Sequence, residues 1–199
     1  MVFENFLSSY QKFLVFLHSD NSISMEKVTQ IASYLLSRYQ KQFGEAMDEI
    51  KLQKLLYFTQ REAIIRTGSL MFDAEFRAWK YGPVILEIHD RFKARDLHEE
   101  LSIKSQEHWK ECFDYVFKEF APKKSMSLVS LAHGERSWTR ARIGYKKYDR
   151  SDVPMKLSDI YEDAEYRKQR RSSLPLRRAV YSFCQQHPEI QRIPVIHGV

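Results

Sequence analysis

The chain is poor in the residues that interrupt regular structure. It has six glycines and six prolines in 199 residues, which argues against a turn-dense sandwich or barrel and favours long helices. Cysteine is nearly missing. Cys112 and Cys184 cannot form a disulfide scaffold; both fall on apolar helical stripes, as reduced core residues of a cytoplasmic protein do. There is no run of 18 apolar residues to span a bilayer, and the apolar start is broken by Glu4 and Lys12 and lacks a basic leader, so neither a membrane span nor a signal peptide is expected. The scattered glycines make no phosphate-binding loop, and the histidines never fall at metal-ligand spacing. His89-Asp90, and His133 near Glu135 and Ser137, are the acid–base pairings on offer. Neighbours on a helix point about 100° apart, and no third group orients either pair, so these read as surface polar residues. The expectation is no enzyme, no cofactor and no metal.

What is present is ordinary globular material with an uneven charge. Hydrophobic residues make up 43%, charged residues 29% and aromatics 14%, enough for a bulky, aromatic-rich core in one domain or one domain with extensions. Residues 1–135 hold 18 Lys/Arg against 19 Asp/Glu, whereas residues 136–199 hold 14 against 7, so the net +6 comes from the C-terminal third. Such a cluster could meet phosphate or an acidic protein, or could be a solvated helix face.

Periodicity predicts a mainly α fold. Val2–His18 carries Phe3, Phe6, Leu7, Tyr10, Phe13, Leu14 and Leu17 on one helical face. Ser24 is a candidate cap for a second helix, with Glu26 in its first turn and Met25, Val28, Ile31, Ala32, Leu35, Leu36 and Tyr39 on its apolar face. From Glu49 to Thr67 apolar residues wrap most of the circumference, so this helix is expected at the centre, with Gly68 as its stop. Between Ser69 and Tyr81 helical period fails, and Leu70–Phe72 with Glu75–Trp79 reads as a short two-stranded ribbon. Pro83 suits the first turn of a following helix bearing Ile85, Ile88 and Phe92. Ser105 is expected to cap a helix with Trp109, Cys112, Phe113, Val116, Phe117 and Phe120, and a shorter helix spans Ser127–Gly134. Ser158 opens a charged helix to Arg171, Ser173-Leu174-Pro175 opens a last one, and Pro188 closes it.

The segment Ala78-Trp79-Lys80-Tyr81-Gly82-Pro83-Val84-Ile85 asks for a reason of its own. As a strand it puts Trp79 and Tyr81 on one face and Lys80 on the other, with Gly82-Pro83 setting the turn. It is either a wedge packing the ribbon on the central helix or a rigid aromatic platform for a partner.

Together with Lys51-Leu52-Gln53-Lys54-Leu55-Leu56-Tyr57-Phe58, about twenty residues earlier, that segment resembles the double signature of the Panacea domain, the SocA-like antitoxin domain also found in phage-associated GepA-type proteins. Leu131–Trp138 is similar to the family's later His/Ser…Trp element, and the resemblance covers roughly residues 25–145. It implies a bacterial or prophage antitoxin that binds a cognate toxin, by occlusion or as an adaptor to an AAA+ protease, without catalysis. The chain then divides into an N-terminal amphipathic helix (1–20), the Panacea domain (21–150) and a basic helical extension (151–199). The expected partner contacts are Lys51, Gln53, Lys54 and Tyr57 on an exposed side of the central helix, with Trp79, Lys80 and Tyr81 on the ribbon; Gly82, Pro83, His133 and Trp138 are structural. A solvated stripe for Lys51 and Lys54, and a core place for Tyr57, stand as the plainer alternatives. A nucleic-acid-binding regulator acting through the basic third is the competing function.

Overall fold

The structure, a computed structural model, describes residues 25–146 and 149–186, with the side chains of Leu176, Arg177, Val180 and Cys184 left out. The expected helix at Val2–His18, the Ser24 cap, Pro188 and the tail lie outside the described residues.

Eight helices and one hairpin make up the described chain: α1 Val28–Phe43, α2 Glu49–Thr67, β1 Arg77–Trp79, β2 Gly82–Val84, α3 Leu86–Ala94, α4 Ile103–His108, α5 Lys110–Glu119, α6 Ser125–His133, α7 Arg136–Ala141 and α8 Leu157–Gln186. The mainly α architecture with a short β-ribbon is as the periodicity predicts.

The molecule is organised around α2. Its start is set by the Asp48 side chain, which accepts from the Lys51 N–H, and its end by Gly68 at φ 76°, whose N–H reaches the Ile64 carbonyl. Every residue from Lys51 to Ile65 is buried. Helices α1, α5, α6 and α8, strand β2 and helix α3 pack around it. Helix α1 offers Val28, Ile31, Ala32, Leu35 and Tyr39; α5 offers Cys112, Phe113, Val116 and Phe117; Phe58 stacks on Phe120 at 4.3 Å. Cys112 is a buried free thiol whose Sγ donates to the Thr59 carbonyl, and burial pushes its pKa up.

Several local expectations are corrected. Helix α1 begins at Val28 without a side-chain cap, because Glu26 is held outside it by a backbone bond to the Met71 carbonyl, part of a parallel bridge to Phe72. That bridge takes up the Leu70–Phe72 stretch, so the ribbon pairs Arg77–Trp79 with Gly82–Val84 instead. Lys80 and Tyr81 are therefore turn residues, not strand residues, and Trp79 and Tyr81 do not share a strand face. Pro83 is a strand residue opposite Ala78, three positions before α3 starts. A proline is tolerated there because the Ala78 carbonyl takes its donors from Arg142 and Ser151 and needs no N–H from Pro83. The cap of the next helix is Ser102, accepting from the Ser105 N–H, and a break at Trp109 separates α4 from α5. Pro175 opens no new helix: α8 runs through it unbroken, losing only the bond its missing N–H would make.

The basic C-terminal third is not a detached face. Met155, Ile160, Asp163 and Ala164 are buried in the core. Arg167 pairs with Glu135, Arg171 forks onto Glu62, Arg140 holds Asp159 and Glu162, and Arg142 is buried against the ribbon. Among the described residues no helix is long and apolar enough to cross a membrane.

Gly82 decides whether the ribbon can seat on α2. It takes φ +97°, and a Cβ there would lie 2.6 Å from Lys54 Cε, whereas a Cβ on Gly44, at φ +73°, would meet open space. Left-handed backbone alone costs an L-residue about 1–2 kcal/mol, and overpacking a held side chain adds about 1–3 kcal/mol. Gly82→Ala is therefore expected to lower the urea-unfolding free energy clearly more than Gly44→Ala; equal losses would show that the Lys54 contact imposes nothing.

Candidate functional site

A helix buried on all sides must satisfy its polar side chains inside the protein. This overturns the expected exposed stripe on α2: Lys51, Gln53, Lys54 and Tyr57 are all buried, Lys54 and Tyr57 completely. Lys51 Nζ donates to Tyr39 Oη at 2.7 Å and to the Ala121 carbonyl at 3.3 Å. Gln53 grips Ile85 as a neighbouring strand would, donating Nε2 to its carbonyl (3.1 Å) and accepting its N–H on Oε1 (2.9 Å). Lys54 Nζ donates to the Pro83 carbonyl at 2.7 Å. Tyr57 Oη lies 3.0 Å from Ser137 Oγ and donates to Asp163 Oδ2 at 3.1 Å. These residues are interior and hold the surrounding segments in place.

The next turn continues the pattern with residues that periodicity alone did not single out. Gln60 accepts the Met71 and Phe72 N–H groups and donates to the Phe72 carbonyl at 2.7 Å. Arg61 and Arg167 converge on Glu135 Oε1 at 2.6 and 2.7 Å, and Arg66 and Arg171 converge on Glu62. Asp163 accepts the Arg136 and Ser137 N–H groups, so it caps α7 from α8. Glu135 is 2% exposed and Ser137 is 0% exposed, which corrects their reading as surface polar residues. The wrap-round apolar pattern of α2 was the available signal: a helix with no free side leaves its polar residues no route to water.

Around this frame the hairpin is held carbonyl by carbonyl. Arg142 Nη1 donates to Ala78 O at 3.2 Å, where the Ser151 hydroxyl also binds. Trp138 Nε1 donates to Trp79 O at 2.9 Å, and His133 Nε2 lies 3.0 Å from Lys80 O. His133 and Trp138 stack with centroids 3.9 Å apart, so Leu131–Trp138 is the clamp on the ribbon. Trp79 donates its Nε1 to Asp152 Oδ1 at 3.0 Å and lies edge-on to His89, which pairs with Glu49 rather than with Asp90. At the tip Lys80 Nζ sits 4.7 Å from the centre of the Tyr81 ring, and Tyr81 is 40% exposed. Of the expected contacts, only Trp79, Lys80 and Tyr81 retain access to solvent. Among the described residues no group of three or more metal-ligating side chains converges.

Two electrical consequences follow from burial. Desolvation drags the Lys54 ammonium from its ordinary 10.5 down to about 7, against the pull of Glu49 and Asp48. Burial, then Glu135 and Asp163, raises the Tyr57 phenol, which stays a neutral donor.

Compared with known families, residues 52–139 match the one described as antitoxin SocA-like, Panacea domain. The match runs from the second residue of the α2 signature through the hairpin and just past Trp138. No curated protein and no solved structure matches the chain.

The Lys54 shift has a sign. The unfolded chain keeps this proton up to about pH 10.5 and the folded chain only to about 7, so the stability cost of the buried charge is complete below pH 7 and fades as pH rises through that window. Relative to Lys54→Met, the wild-type unfolding free energy is expected to climb between about pH 7 and 9.5, by up to about 1.4 kcal/mol per pH unit; a flat difference in urea titrations would contradict it. Glu135→Ala strands the buried Arg61 without its partner and releases the part-exposed Arg167, and is expected to cost about 3–5 kcal/mol in the same assay.

Proposed function

Because residues 52–139 are a SocA-like Panacea domain, we propose that this chain is the antitoxin of a bacterial or prophage toxin–antitoxin pair, acting in the cytoplasm by binding its cognate toxin and transforming no substrate. The contact is the hairpin tip, Lys80 and Tyr81 with Trp79 behind them. One observation carries this choice: the backbone carbonyls of Ala78, Trp79, Lys80 and Pro83 are each held by side chains from α2, α6 or the α7 region, so the tip is presented already ordered. A pre-organised aromatic and cationic pair loses little entropy on association, and Tyr and Trp are frequent among residues that dominate binding energy. Two of the other four expected contacts serve the same end indirectly, since Lys54 holds Pro83 in the strand that follows the tip and Gln53 holds Ile85 just after that strand.

Direct occlusion and delivery to an AAA+ protease both begin with this contact. They separate in a protease-deficient host, where an occluding antitoxin still protects and an adaptor does not. The binding test uses a neighbouring reading frame whose expression alone arrests growth and whose arrest this chain relieves. Lys80→Ala and Tyr81→Ala, at the half-exposed tip, are expected to leave the helical circular dichroism unchanged and to weaken the purified complex at least tenfold, about 1.4 kcal/mol each. Undiminished affinity and rescue with both substitutions present would remove the tip from the interface.

A further inference from the structure

The net charge of the chain is concentrated in one stretch of α8. Residues 166–186 hold six Lys/Arg and no Asp/Glu, which leaves 26 Lys/Arg against 26 Asp/Glu in the rest of the chain, so the entire +6 sits there. Arg167 and Arg171 are engaged by Glu135 and Glu62. Lys168, Arg170 and Arg178 are exposed and make no ion pair among the described residues. The first half of α8 is tied to the body, burying Ile160, Asp163 and Ala164, but from Leu174 to Gln186 every described side chain is exposed. That second half is a solvated rod about 20 Å long at 1.5 Å per residue.

We propose that this half of α8 is a docking helix for duplex DNA, a binding activity that goes beyond the antitoxin reading and does not depend on it. Charge complementarity selects the occupant. A surface of one sign repels itself, and a polyanion relieves that repulsion while releasing its own condensed counterions. Shape narrows the polyanion to a B-form duplex. A helix with its side chains is about 10–12 Å across and the major groove is about 12 Å wide, so a helix exposed along its length fits it. Lys168 and Arg170 stand about 160° apart round the axis at about 100° per residue, so cations occupy both flanks, where the two phosphate backbones border the groove. Arg178 adds a third phosphate contact about 12 Å beyond Arg170. The major groove of A-form RNA is too narrow for side chains to enter, so the same helix favours DNA.

The purified full-length chain tests this without any toxin, by fluorescence anisotropy of a fluorescein-labelled DNA duplex of mixed sequence. The logarithm of the binding constant is expected to fall with that of the salt concentration at a slope of about −2.7, for three phosphates at about 0.9 each, or roughly fortyfold between about 50 and 200 mM. The double variant Arg170→Gln/Arg178→Gln alters exposed side chains without ion pairs, so its circular dichroism is expected to be unchanged. It is expected to bind at least about tenfold more weakly at the lower salt and to flatten the slope by about 1.8. Lys104→Gln/Lys118→Gln, on other exposed surfaces, is expected to change neither quantity. An RNA duplex of the same sequence is expected to bind several-fold more weakly than the DNA. Absence of binding, equal losses in the two double variants, or equal affinity for the RNA duplex would each overturn the proposal. So would displacement by polyglutamate as readily as by unlabelled duplex, which would mark the surface as one for an acidic protein.

Discussion

The structure depends on one constraint: from Lys51 to Ile65 α2 is surrounded, so the polar side chains of that stretch must find their partners within the protein. Leaving a buried donor or acceptor unpaired costs about 1–3 kcal/mol, more for a charge, and residues 51–62 bring Lys51, Gln53, Lys54, Gln60, Arg61 and Glu62 into that interior. The loops, the hairpin and α8 are placed where they answer these groups. Two glutamines take the hydrogen bonds of strand-like segments, one lysine takes a proline carbonyl, and two ion clusters bind α8 to the body.

A polar interior held this way trades stability for definition. An apolar core of the same volume would be as stable or more so, but it would not dictate which backbone carbonyl sits where. Here the position of the hairpin is read out by directional bonds from Lys54, Gln53, His133, Trp138 and Arg142. The Panacea match covers this arrangement from Leu52 to Thr139, while α8, which supplies the arginines that complete it, lies beyond the match. Part of the positive charge of the C-terminal third thereby acquires a structural account, since Arg140, Arg142, Arg167 and Arg171 have partners within the chain.

Much of this was legible beforehand, and the errors were physical in kind. Stripes such as Val28–Tyr39 and Trp109–Phe120 identify helices because burial on one face leaves a 3.6-residue trace. Gly68 marks a stop because φ 76° is open to glycine at no cost. Assigning Lys51, Gln53, Lys54 and Tyr57 to an exposed side conflicted with the wrapped apolar pattern around them, and the pattern was the better guide. The ribbon was given the wrong partner strand because Leu70–Phe72 is as extended as Arg77–Trp79, and only the Glu26 bridge tells them apart.

By itself the sequence determined the helical class, the central place of residues 49–67 and the link between the two signature segments, because periodicity and turn chemistry are local. Tertiary structure alone decided which polar residue meets which carbonyl, that Glu135 and Asp163 are interior, and that Tyr81 and Lys80 remain outside. Those partners lie 12 to 106 residues apart along the chain, and no local rule reaches across that distance; only the closing of the helices around α2 brings them within hydrogen-bond range.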